Sequence, residues 1–345
     1  MKLQFQCDYN EGAHPLIIQR LTDTNFVQTP GYGEDEFCAH AHEIIRRACQ
    51  APDADVHFLV GGTQTNVTVI SSALRPHQGV LCADTGHINV HETGAVEHSG
   101  HKVLALSSTD GKITAAQVSE ALQAHHDDVN FEHMVQPGMV YISFPTEYGT
   151  LYTLAELEAI SSVCRKWRVP LFVDGARLGY GLMSHVADVT LPDIARLADV
   201  FYIGGTKQGA LFGEAVVITS ETLKRDFRYN IKQNGGMLAK GRLLGIQFET
   251  LFTDNLYFEM AAHADRQAMR IHEAFASKGI PFHVDSPTNQ QFPILSDYQR
   301  EQLDRDFLSD FWCRIDDNHC CVRYCTSWAT LETSVDRLVE AIRFL

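Results

Sequence analysis

Residues 171–181 read LFVDGARLGYG. Three apolar residues, Leu171, Phe172 and Val173, stop at a carboxylate, Asp174, and a cation follows at Arg177. So short a run, with no polar residue alternating through it, predicts a strand covered on both faces, as parallel strands flanked by helices are. A carboxylate at the carboxyl end of such a strand stands where open α/β sheets bind their ligands. Taken alone, Asp174 serves equally well as a helix N-cap or as half of a loop ion pair with Arg177.

The same texture continues on both sides. Residues 56–60, 80–83, 102–106, 139–144, 200–203 and 214–218 read as further short apolar strands. Residues 34–48 place Phe37, Ala41, Ile44, Ile45 and Ala48 on one helical face. Thr153 and Glu156 form a capping box that opens a helix running to Trp167, and another helix is expected near 191–198. Strands alternating with helices predict an α/β domain with a mainly parallel sheet covered by helices. After about residue 240 the texture changes. A long helical stretch, 242–278, leads to strand-like pieces near 280–284 and 320–324 and a last helix over 331–344. The chain therefore divides into residues 1–240, an N-terminal segment with the large domain, and residues 241–345, a small α+β domain.

Bulk properties narrow the function. The 345 residues are 45% hydrophobic and 21% charged, ordinary for a globular protein, with a net charge of −15. Such acidity argues against nucleic acid or an anionic membrane as partner. No apolar stretch is long enough to span a bilayer, and the opening MKLQFQCDYNEG has no apolar signal core. Nine cysteines with no CxxC pair suggest free thiols and a cytoplasmic location.

Three further strand ends carry chemistry. In VFYIGGTKQGALFGEAVVI (200–218), Lys207 lies among glycines between two apolar strands. A desolvated lysine has a lowered pKa and attacks carbonyls; an exposed turn lysine is the plainer reading. In VGGTQTNVTVI (60–70), a strand runs through Gly61, Gly62 and Thr63 into a helix from about Gln64, and helix N-termini suit phosphates. An ordinary strand–helix turn would look the same. In ADTGHINVHETGA (83–95), His87 follows another strand end, with His91 and Glu92 close by. His87 is open to metal ligation, to packing, or to stacking on a flat ligand. A phosphate cradle, a lysine for an aldehyde, a buried Asp174 for a ring nitrogen and a planar His87 together fit pyridoxal 5′-phosphate (PLP). On this reading Arg177 offsets the cost of burying Asp174.

The chain resembles the threonine aldolase and β-eliminating lyase family of fold-type-I PLP-dependent enzymes. The motif DGAR is Asp174-Gly175-Ala176-Arg177, and the cofactor lysine follows it as Lys207. The phosphate turn is Gly62-Thr63-Gln64-Thr65-Asn66, and His87-Ile88 with Glu92 resembles a further family segment. TPGYGEDEF (29–37) and CCVRYCTSWATLETSVDRLV (320–339) resemble the family's opening and closing motifs.

The resemblance implies a PLP-dependent carbon–carbon lyase that cleaves L-threonine or L-allo-threonine to glycine and an aldehyde. It gives Arg323 the substrate carboxylate and makes Gly62, Thr63 and Gln64 phosphate ligands. The segment Cys7–Gly12 replaces one that supplies a small hydroxyl near that carboxylate, and Asn10 is its candidate. Glu147, in SFPTEYG, replaces a family histidine and shares with His87 the candidacy for general base. NGGMLAK (234–240) lacks a family arginine, which Lys232 or Lys240 replaces. A homo-oligomer, dimer or tetramer, is implied, with segments near 29–33 and 230–242 reaching across. A β-eliminating lyase or aminotransferase would use the same anchors. Outside the family, a non-catalytic PLP-binding protein or a metal-dependent hydrolase built on His87, His91 and Glu92 stays open.

Overall fold

The computed structural model describes residues 2–345. Seven strands form the central sheet, in the order Asp55–Leu59, Glu214–Ile218, Val200–Gly204, Leu171–Asp174, Gln136–Ser143, Gln78–Ala83, Lys102–Leu106. Neighbours pair in parallel except at Glu214–Ile218, which is antiparallel to both strands beside it.

Residues 171–173, 200–203 and 215–218 are each at most 2% exposed, so both faces are covered. Alternate residues feed two separate cores, as the two-residue repeat of a strand requires. Val140, Leu171, Val173, Phe201 and Val217 face one. Met139, Phe172, Val200, Val216 and Ile218 face the other.

Thr153 caps the helix Leu154–Trp167 reciprocally with Glu156, as the sequence predicts. The helix expected over 242–278 is two: Arg242–Phe252, which packs on Glu36–Ala48, and Leu256–Ser277. Asp254 (φ 52°) and Asn255 (φ 60°) break it in the left-handed conformation that Asp and Asn tolerate best among side-chain-bearing residues.

No strand forms over 280–284, where Phe282 makes one isolated bridge to Pro293. The second sheet is built from Ile294–Ser296, His319–Cys325 and Asp310–Asp316, all antiparallel, with Gln290–Gln291 pairing the far end of His319–Cys325. Ile271, Phe275, Leu295, Val322 and Leu338 pack its core. Phe5 joins that core, and Leu3–Gln4 pairs in parallel with Phe307–Leu308. The residues nearest the start thus pack with the C-terminal elements through a two-stranded sheet of their own. Arg242–Phe252 contributes Leu244, Phe248 and Leu251 to the large core.

Two glycines set the approach of neighbouring strand ends. A Cβ on Gly175 would stand 1.9 Å from the carbonyl oxygen of Tyr202, and one on Gly204 2.3 Å from that of Ala176. Only glycine lets these two strand exits cross so closely.

Candidate active site

The strand ends converge on a cavity of about 310 Å³. The parallel register sets Ser143 beside Asp174 at its floor. The antiparallel strand brings its first residue, Glu214, to this same edge, opposite Gly204 and Leu59. Of the residues singled out from sequence, Lys207, Asp174, Arg177, His87, Glu147, Gly62 and Thr63 all line the cavity.

Asp174 is 4% exposed. Tyr202 and the Ala176 N–H donate to its Oδ1, and Tyr141 (2.6 Å) and Asn66 (3.1 Å) donate to Oδ2. Burial alone would raise its pKa. The attraction of His87 and the Tyr141, Tyr202 and Ala176 donors outweigh burial and hold it below the ordinary aspartate value.

Arg177 does not pair with Asp174, as the sequence reading has it. Its Nε and a terminal nitrogen donate to Asp8, at 2.6 and 2.9 Å, and Asn289 donates to the same carboxylate at 2.8 Å. Asp8 is fully buried. Its desolvation is overcome by Arg177 and then Lys207, so its pKa is lowered. The cost of burying Asp174 is met instead by His87 and by neutral hydroxyls and amides.

Lys207 faces the cavity, and Tyr180 holds its backbone by donating to its carbonyl oxygen. Burial, then Arg177, lowers the amine's pKa, against the pull of Asp8, Asp174 and Glu214. Glu214 accepts from the Gly205 N–H (3.1 Å) and the Thr206 hydroxyl (2.9 Å), and burial raises its pKa to about 8.

On the opposite wall, Glu92 Oε1 accepts from Asn66 (2.7 Å) and lies 2.8 Å from His87 Nδ1. Asn66 thus ties the carboxylates of Asp174 and Glu92 together. Glu147 Oε1 accepts from the Ser143 hydroxyl (2.7 Å) and the His87 N–H (2.9 Å). Burial raises the Glu147 pKa and the Ser143 hydrogen bond opposes the rise. Glu92 is engaged with His87 and Asn66. Among the described residues the close grouping of metal-ligating side chains lies elsewhere, at His283, Cys313 and Cys321.

Three expected residues lie off the cavity. Gln64 turns back, accepting from the Val60 N–H and donating to the Asn234 carbonyl. Asn10 is exposed and bonded to Cys7; from its segment Tyr9 lines the cavity in its place. Arg323 is held by Asp310 (2.8 Å), Gln290 and the Gln6 carbonyl, with its guanidinium 5.3 Å from the Trp312 ring centre.

Asp8, Glu214, Tyr141 and Tyr202 escaped the sequence reading, and Asn66, read there as part of the phosphate turn, holds Asp174 and Glu92 instead. The tyrosines carried a signal, since a hydroxyl in a buried strand needs an acceptor. So did Glu214, a charge opening an otherwise apolar strand. Asp8 carried none, because its partner lies 169 residues away.

Residues 21–297 match the profile of the family described as Beta-eliminating lyase. Low specificity L-threonine aldolases are similar along the whole chain. That of Pseudomonas sp. (strain NCIMB 10558) is 30% identical over 99% of this chain and 97% of its own. That of Pseudomonas aeruginosa is 29% identical over 99% and 96%. A solved threonine aldolase from Leishmania major superposes with a TM-score of 0.96 at 46% identity, covering 99% of both chains. A Thermus thermophilus aspartate aminotransferase variant superposes at 0.73 with 13% identity, covering 100% of this chain and 92% of its own, a likeness of fold alone. The architecture is that of fold-type-I PLP-dependent enzymes, and the chain belongs to the beta-eliminating lyase family.

Proposed function

We propose that the chain is a PLP-dependent aldolase that cleaves L-threonine and L-allo-threonine, with relaxed choice at Cβ, to glycine and acetaldehyde. The observation that carries this is one cavity holding an amine of lowered pKa, Lys207, a carboxylate kept ionised, Asp174, and the start of a helix.

The residues fit the cofactor. No side chain caps the first turn of Gly62–Ala73, and Gly61, Gly62 and Thr63 line the cavity, so backbone N–H groups are left for a phosphate. Lys207 supplies the amine for the cofactor aldehyde, and Asp174 the charge that keeps the ring nitrogen protonated. Bound PLP supplies a ring that withdraws the electrons of the bond broken at Cα.

Two groups are candidates to take the β-hydroxyl proton. Glu147 has Oε1 occupied and Oε2 left for a substrate hydroxyl. Its raised pKa brings it nearer to a working base at neutral pH. His87 is fixed through Nδ1 by Glu92, which leaves Nε2 for stacking or proton transfer. Arg323, held by Asp310 and Gln290 beside the cavity, is assigned the substrate carboxylate on the family resemblance. Among the described residues lining the cavity, Arg177 is held by Asp8 in a bidentate pair and Lys207 serves the cofactor, which leaves no further lysine or arginine for a side-chain acid. This favours a small neutral β-substituent.

We also take the chain to be a cytoplasmic homo-oligomer, dimer or tetramer. The nine free thiols accord with that compartment, and among the described residues no helix is long and apolar enough to cross a membrane. Segments 29–33 and 230–242 lie against each other, with Lys232 5.0 Å from the Tyr32 ring centre and the Tyr32 N–H on the Ala239 carbonyl.

The test is release of glycine and aldehyde from both threonine isomers, beside serine and cysteine. Pyruvate and ammonia without glycine would replace this reading by β-elimination.

A further inference from the structure

His283, Cys313 and Cys321 bring their ligand atoms within 4.8 Å of one another, outside the cavity. Strand pairing explains two of them. Cys313 stands directly opposite Cys321 in the antiparallel register, so both sulfurs emerge on one face. An irregularity in that pairing falls between Phe311 and Cys313. Bulges of this kind commonly re-aim a side chain. His283 arrives from the turn after the long helix, and its N–H donates to the Phe292 carbonyl at 2.9 Å, which ties that turn to the sheet.

The surroundings grade from dry to wet. Cys321 is buried, Cys313 half-buried and His283 exposed. Tyr148 packs its ring against His283 and Trp312, with the centroids 5.7 Å apart in each case. Phe292 packs on both Tyr148 and Trp312. One side is thus closed by aromatic rings and the other is open to solvent.

We propose that His283, Cys313 and Cys321 form a three-ligand site for a thiophilic divalent cation of the Zn²⁺ class, with water in the fourth position. Tetrahedral Zn²⁺ binds Cys sulfur at about 2.3 Å and His nitrogen at about 2.0 Å, which sets its ligand atoms roughly 3.5–4 Å apart. The ligand atoms of the cluster, all within 4.8 Å of one another, stand close to that spacing. Two thiolates and an imidazole select Zn²⁺, Co²⁺ or Cd²⁺ over Mg²⁺ and Ca²⁺, which want oxygen ligands. Binding displaces one proton from each thiol into solvent as its sulfur–metal bond forms, and no electron is transferred. Burial pushes both thiols up, so protons compete strongly for the sulfurs. Affinity is therefore expected to rise with pH, by up to about a hundredfold per unit. The site is independent of the PLP reading.

Co²⁺ is the probe, titrated into reduced, chelator-treated, full-length holoenzyme. One equivalent should give the intense red-region ligand-field bands of tetrahedral thiolate-bound cobalt, clear of the cofactor's absorption, and one equivalent of Zn²⁺ should erase them. Cys313→Ser should abolish the bands and His283→Ala should weaken binding at least about tenfold. Neither residue is fully buried, so both variants should keep the wild-type melting curve without metal. Only the weak spectrum of octahedral cobalt, or bands undiminished in Cys313→Ser, would overturn the proposal.

Discussion

Lys207→Ala is expected to abolish turnover while leaving the fold intact, because the chemistry needs an amine that condenses with the cofactor aldehyde. Borohydride reduction followed by peptide mass spectrometry should find the pyridoxyl group on Lys207; finding it on Lys232 or Lys240 would remove the assignment. Asp8→Ala tests the ion pair that sequence did not disclose. It strands the Arg177 guanidinium in a buried setting, and losing one partner of such a pair costs about 3–5 kcal/mol. Urea unfolding measures that loss, and a change of less than about 1 kcal/mol would show that water replaces the carboxylate. The contrast explains what was legible at this scale. Asp174 and Lys207 stood out because each breaks an apolar run at a strand end. Asp8 sits in an irregular segment, and Asn10 drew attention there although Tyr9 is the residue on the cavity wall.

Strand direction decides which residues an element delivers to a site. Parallel strands present their carboxyl ends at the cavity, and the sequence shows those directly. Glu214 arrives because its strand runs the other way, and no local pattern announces a reversal of direction. Its raised pKa has a consequence for stability. The folded protein keeps a proton on Glu214 up to about pH 8, whereas the unfolded chain releases it near the ordinary glutamate value. Folding therefore takes up a proton in that interval. The contribution is fully present below the unfolded pKa and is lost as pH rises through about 8. Glu214→Gln keeps an acceptor for Thr206 but cannot ionise. Its stability relative to wild type should improve between about pH 6 and about pH 9, as read by urea unfolding. An unchanged difference would mean that Glu214 is ionised throughout. The broken helix at Asp254 and Asn255 was hidden for another reason: apolar periodicity continues on both sides of the kink.

At the scale of the whole molecule, light scattering should find a dimer or tetramer, and an active monomer would refute the proposed assembly. Alternation of strands and helices predicted the large α/β unit, because burial on both faces leaves a compositional trace. The smaller unit was read less well. Its remaining strands beside Asp310–Asp316 and His319–Cys325 are only two or three residues long, Asp310–Asp316 is half-exposed or exposed throughout, and one of its members comes from the opposite end of the chain. That last pairing reaches into the history of each molecule. During synthesis residues 3–8 emerge about 300 residues before Phe307 and Leu308, which Leu3 and Gln4 join, and about 280 before Asn289, which holds Asp8. Until then Arg177 has no fixed counter-ion. The large sheet can assemble before then, but the pocket is completed only once the residues from Asn289 to Leu308 have emerged.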